Sequence, residues 1–119
     1  MKLSLKKENI FIPEKFGNKD LPEIDQIRVI WRYPTGQEKM STLQSKYSGS
    51  GDVVFANTYR ELVEQCVIRI ENLSIVDDDG KEVLVTTGKE LADARGVASL
   101  YEEVANFISS ANDILDKKK

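Results

Sequence analysis

Gln26-Ile27-Arg28-Val29-Ile30-Trp31-Arg32-Tyr33 is the stretch on which the reading of the fold turns. Ile27, Val29, Trp31 and Tyr33 alternate with Gln26, Arg28 and Arg32, a period of two in β-branched and aromatic residues. That pattern predicts a half-buried strand, which Pro34 stops. Trp31 lies between Ile30 and Arg32, but it shares its face with Ile27 and Val29, so it reads as core rather than as a stacking platform for nucleic acid.

On the N-terminal side, residues 1–24 read as an irregular arm with one extended piece, Asn9-Ile10-Phe11-Ile12-Pro13. Pro13, Gly17-Asn18, Asp20 and Pro22 interrupt any regular period there. On the C-terminal side, Thr35 to about Gln44 predicts a helix weakened by Gly36 and Ser41. Tyr47-Ser-Gly-Ser-Gly-Asp52 is a loop by composition, and Val53-Val54-Phe55 is a candidate strand partner for Gln26–Tyr33.

The second half carries stronger signals. Thr58-Tyr59-Arg60-Glu61 fits a capping box, in which two side chains satisfy each other's unpaired backbone N–H groups. Behind it Tyr59, Leu62, Val63, Cys66, Val67 and Ile70 recur at helical spacing, predicting a helix to about Glu71. Leu73–Val76 and Glu82–Val85 flank Asp77-Asp78-Asp79-Gly80-Lys81, a hairpin signal. A second capping box, Thr87-Gly88-Lys89-Glu90, opens a short helix that Gly96 ends. A last helix is predicted from Val97 to Asp116, with Val97, Leu100, Tyr101, Val104, Phe107, Ile108, Ala111, Ile114 and Leu115 on one stripe. The expected fold is α+β: N-terminal strands and arm packed with two long amphipathic helices, a short helix and a hairpin. One domain is expected over residues 1–119, with an arm at 1–24 and a globular core at 25–116.

Composition narrows the function. The chain has 17 basic and 20 acidic residues interspersed, a net charge of −3. Nucleic-acid binders carry a basic excess or stripe, so no nucleic acid and no membrane surface is expected as partner. No apolar run approaches the ~20 residues of a membrane span, and Met1-Lys2-Leu3-Ser4-Leu5-Lys6-Lys7 lacks the apolar core of a signal peptide. A single cysteine suits a reducing compartment, so a cytoplasmic location is expected.

Candidate chemistry fails residue by residue. There is no histidine, which removes the usual general base, the Ser-His and Cys-His pairs and the commonest zinc ligand. Cys66 falls in an apolar stripe and reads as a buried structural thiol. An EF-hand needs an acid two residues before Asp77 and a glutamate six after Gly80, where Ile75 and Thr86 stand. A phosphate loop needs a glycine where Val83 stands and a hydroxyl where Glu90 stands. Asn72-Leu73-Ser74 matches a glycosylation acceptor that a non-secreted chain does not use. Glu102 and Glu103 read as solvated carboxylates without a partner acid or base. No catalytic residue, metal ligand or cofactor site is expected, and the chain reads as a protein that binds proteins. Phe11 and Phe16, aromatic residues in the arm, have two readings: anchors for a partner protein, or side chains tucked onto the domain's own core.

The order of segments adds to this. Tyr59-Arg-Glu-Leu-Val-Glu-Gln-Cys-Val-Ile-Arg-Ile-Glu-Asn-Leu73, Asp-Asp-Asp-Gly-Lys-Glu-Val83, Thr-Thr-Gly-Lys-Glu-Leu91 and a long final helix follow one another. With Phe11-Ile-Pro-Glu-Lys-Phe-Gly-Asn-Lys-Asp-Leu21 and Tyr-Pro-Thr35, this layout resembles the tail assembly chaperones of long-tailed bacteriophages and prophages. The resemblance covers most of the chain as layout and rests on no invariant signature. It implies a non-catalytic protein of the bacterial host cytoplasm that coats the tape-measure protein, helps recruit tail-tube subunits and leaves before the virion is finished. It also implies a longer product made by ribosomal slippage, for which the codons of Lys117-Lys118-Lys119 are the candidate site. Alternatives are a tail-completion or neck protein of the virion, a bacterial regulatory adaptor, and an enzyme subunit whose active site lies on a partner. Homo-oligomerisation is left open.

Overall fold

The structure, a computed structural model, describes residues 1–45, 55–111, 113 and 114. The loop expected at 47–52, the apolar pair Val53-Val54, Leu115 and the terminal lysines lie outside the described residues. The fold is α+β, as the patterns predict.

Strand β2 (Arg28–Trp31) is the middle of a three-stranded antiparallel sheet, flanked by β1 (Asn9–Phe11) and β3 (Val67–Glu71). The arm's extended piece is therefore a strand, with Ile10 opposite Ile30 and Phe11 opposite Val29. Both edges of β2 are taken by β1 and β3, and Phe55, the one described residue of the expected 53–55 partner, is the first residue of a helix. One face of the sheet, including Val29, Trp31, Val67 and Ile70, carries the core. Ile30 points the other way and is buried as well, outside the main cluster.

Helix α1 (Gly36–Ser45) follows β2, and α2 (Phe55–Cys66) runs directly into β3. This corrects two expectations. The helix begins at Phe55, which puts Thr58 inside it rather than at its start, so Thr58–Glu61 is not a capping box. It also ends at Cys66, where Val67–Glu71 becomes a strand. The sheet register explains the difference. Trp31 pairs with Val67 but Ile30 pairs with Arg69, so β3 carries a bulge of one extra residue. The bulge turns both Val67 and Ile70 inward, and their spacing of three imitates a helical stripe. The Arg32 amide donates to the Cys66 carbonyl at 2.9 Å, joining the last turn of α2 to the sheet.

The hairpin forms as predicted, β4 (Ser74–Val76) against β5 (Glu82–Leu84), with Gly80 at φ +79° in its turn. Helix α3 (Gly88–Asp93) starts with the predicted reciprocal cap between Thr87 and Glu90. A reciprocal cap also opens α1, where the Glu38 amide donates to Thr35 Oγ1 and the Thr35 amide to Glu38 Oε1. The last helix, α4 (Ala98–Ser110), stops short of the expected Asp116. Ala111 is extended, and the Ser109 and Ser110 hydroxyls donate back to the Asn106 carbonyl, competing with the helical ladder. Lys39 Nζ donates to the Ser109 carbonyl and satisfies one orphan acceptor at that end. Leu62, Val63 and Cys66 of α2, Leu91 of α3, and Leu100, Val104 and Ile108 of α4 close the core. Each such side chain contributes about 1.5–3 kcal/mol on burial.

Candidate functional site

The arm is bound to the domain by a set of amide and carboxylate contacts. Asn18, 1% exposed, donates from Nδ2 to the carbonyls of Pro13 (2.9 Å) and Ile27 (3.1 Å), and its Oδ1 accepts from the Ile27 amide at 2.6 Å. Gln26 Nε2 donates to the carbonyls of Lys19 and Leu21. Asn72, at φ +65°, donates to those of Ile24 and Gln26. From the helical layer, Glu103 accepts the amides of Glu14 at 2.7 Å and Lys15 at 3.2 Å. Glu103 therefore has backbone partners, contrary to its reading as a solvated carboxylate, and it fastens α4 to the arm.

These contacts separate the two arm phenylalanines. Phe11 stacks on Phe107 of α4, ring centroids 4.0 Å apart and 14° between planes, and packs against the core. Phe107 in turn meets Trp31 edge-on at 4.9 Å. Phe16 is 61% exposed and has φ +62° and ψ 25°, the left-handed region that a bulky L-residue occupies only under constraint. Glu103 holds the amides of the two residues before it, and Asn18, two residues after it, is tied to Pro13 and Ile27, so the surroundings impose the strain. Phe16 stands at the rim of an open groove of about 670 Å³ between the arm and α4, floored by Ser99 and Asn106 and flanked by Glu14, Lys15 and Glu102. Glu14 also lies 3.8 Å from Lys19. The groove carries more carboxylate than amine and suits a segment that brings an apolar residue and basic side chains. Its helix-borne members are not visible as a site in the sequence, because nothing in their spacing links Ser99, Glu102 and Asn106 to the arm.

The groups considered for chemistry are placed elsewhere. Cys66 is fully buried, and loss of solvation pushes its thiol up to about 11, the wrong direction for a nucleophile at neutral pH. Asp77 Oδ1 accepts the amides of Asp79 and Lys81 and shapes the hairpin turn. Among the described residues no group of three His, Cys, Asp or Glu side chains is placed to hold a metal ion, and no helix is long and apolar enough to cross a membrane. No protein-family model, curated protein or solved structure matches the chain.

Proposed function

We infer that this protein is a non-catalytic tail assembly chaperone that holds a tape-measure protein and helps bring tail-tube subunits to it in the bacterial cytoplasm. The segment order that resembles that family supports the reading, and Phe16 is the structural observation that carries it. An aromatic ring held out from the surface, on a backbone strained to keep it there, is more readily explained by docking than by folding. The acidic border of the groove fits a helical segment with lysines or arginines beside an apolar face.

The test is co-expression with the tape-measure protein encoded nearest the gene. The wild-type chain is expected to keep that protein soluble and to co-purify with it. Phe16→Gly, which relieves the left-handed backbone while removing the ring, is expected to retain the fold and lose at least about tenfold in association, roughly 1.4 kcal/mol. A tape-measure protein that stays insoluble beside the wild-type chain would overturn the reading.

A further inference from the structure

The hairpin presents a strand edge and apolar side chains that no other described element covers. Val76 is 63% exposed, Val83 49% and Leu84 64%. The two strands form a sheet of their own, so β5 has a neighbour on one side only. The Val85 amide donates to the Leu73 carbonyl and the Asp77 amide to the Lys81 carbonyl. In an antiparallel ladder the bonded pairs recur every second residue, so Val83 bonds to Ile75 and the main-chain groups of Glu82 and Leu84 point outward.

Beside this edge an open groove of about 620 Å³ separates β5 from α3, with Ile75, Val83 and Leu84 on one wall and Lys89, Ala94 and Arg95 on the other. Two carboxylates in the groove are engaged: Glu90 by Thr86 and Thr87, and Asp93 by Arg60 at 3.0 Å. Lys89 and Arg95 have no carboxylate partner among the described residues. The hairpin turn has the opposite excess, because Asp78 and Asp79 have no cationic partner among the described residues.

We propose that two copies of this chain join edge to edge through β5, the acidic turn of each reaching toward Lys89 and Arg95 of the other. An antiparallel two-fold pairing centred on Val83 sets Glu82 against Leu84 of the second copy and Leu84 against its Glu82. Both outward-pointing residues of each edge are then bonded, and the two Val83 side chains meet at the close, non-bonded position. Centring on Glu82 would oppose two like charges. Centring on Leu84 would require the Thr86 carbonyl, which already accepts from the Ile70 amide at 2.8 Å. The same register runs the hairpin turn of each copy past Leu84 of the other toward Thr87, the cap of α3, whose first turn carries Lys89. Symmetry makes the contact twice. The paired edge also removes an exposed strand that would otherwise invite aggregation.

This inference stands apart from the tape-measure reading and is tested on the chain alone. Sedimentation of the wild type up to about 0.1 mM should show a monomer–dimer equilibrium weakened by salt. Asp78→Lys with Asp79→Lys, and separately Lys89→Glu with Arg95→Glu, should each give a folded monomer. Mixing the two variants should restore a dimer, because each turn then meets side chains of opposite charge at positions 89 and 95. Exchange of the Glu82 and Leu84 amides should slow as wild-type concentration rises. A wild-type monomer throughout, a dimer indifferent to either charge reversal, or a mixture that stays monomeric would each overturn the proposal.

Discussion

Asn18 and Ile27 exchange hydrogen bonds in both directions, amide to carbonyl at 3.1 Å and main-chain N–H to side-chain oxygen at 2.6 Å. With the third bond to Pro13, one buried side chain fixes the path of the arm to the residue that leads into β2, the middle strand of the sheet. Asn18→Ala leaves buried backbone groups without partners, at about 1–3 kcal/mol for the unsatisfied set. Chemical denaturation should show that loss. Deleting residues 1–20 should lower the melting temperature much further, because β1 and the Phe11–Phe107 stack go with them. Deleting residues 1–7, all exposed, should change it little.

Gly88 lies where α3 meets α2. A Cβ built on it would stand 2.8 Å from the Val63 carbonyl oxygen and 3.0 Å from Val63 Cγ1. Because the first obstacle is backbone, Gly88→Ala must push the two helices apart. A loss of about 1–3 kcal/mol is expected in thermal or denaturant unfolding. Gly36→Ala, at the equivalent place in the other capped helix, meets nothing within 4 Å and should be neutral or slightly stabilising.

Arg32 grips Glu38 with two bonds, 2.9 and 2.7 Å, and holds its carboxyl down to about 2, helped by the Thr35 amide. The carboxyl is lower in the folded than in the unfolded chain, so its contribution is complete above the ordinary value of 4.5 and is lost as pH falls toward 2. The pair is partly exposed, which limits that contribution to about 1 kcal/mol. Glu38→Gln should remove it at neutral pH and flatten the acid limb of the stability profile. An unchanged limb would show that the pair is screened.

Cys66 should react with a thiol reagent at least about a hundredfold more slowly in the native state than in denaturant, since the chain must open to expose it. Cys66→Ser should cost about 1–3 kcal/mol, because a hydroxyl there has to find a partner in an apolar cluster. Equal labelling rates in the two states would contradict the packing of α2 on the sheet.

Several features are legible in the order of residues alone. The period of two at residues 26–33, the hairpin around Asp79-Gly80, the Thr87–Glu90 cap and the core stripe of α4 all follow from interactions within a few residues. Thr35–Glu38 is a second local cap of the same form, and it starts α1 despite the weak helix formers Gly36 and Ser41. Thr58–Glu61 has the same residue types and is no cap, because a capping box needs a helix start and the chain is already helical from Phe55.

The α+β class, most of the core and the burial of the Cys66 thiol can be read from the order of residues, since local periodicity and side-chain chemistry suffice for those. That Val67–Glu71 is a strand depends on long-range packing, because a vacant edge of β2 outweighed a helical spacing that a bulge happens to imitate. The same packing sets apart Phe11 and Phe16, five residues apart in the same arm. Phe107 lies 96 residues beyond the first, and Glu103, which accepts the Glu14 and Lys15 amides, lies 87 beyond the second. Contacts across such separations leave no periodic trace in the sequence; they exist because the sheet and α4 bring distant backbone together.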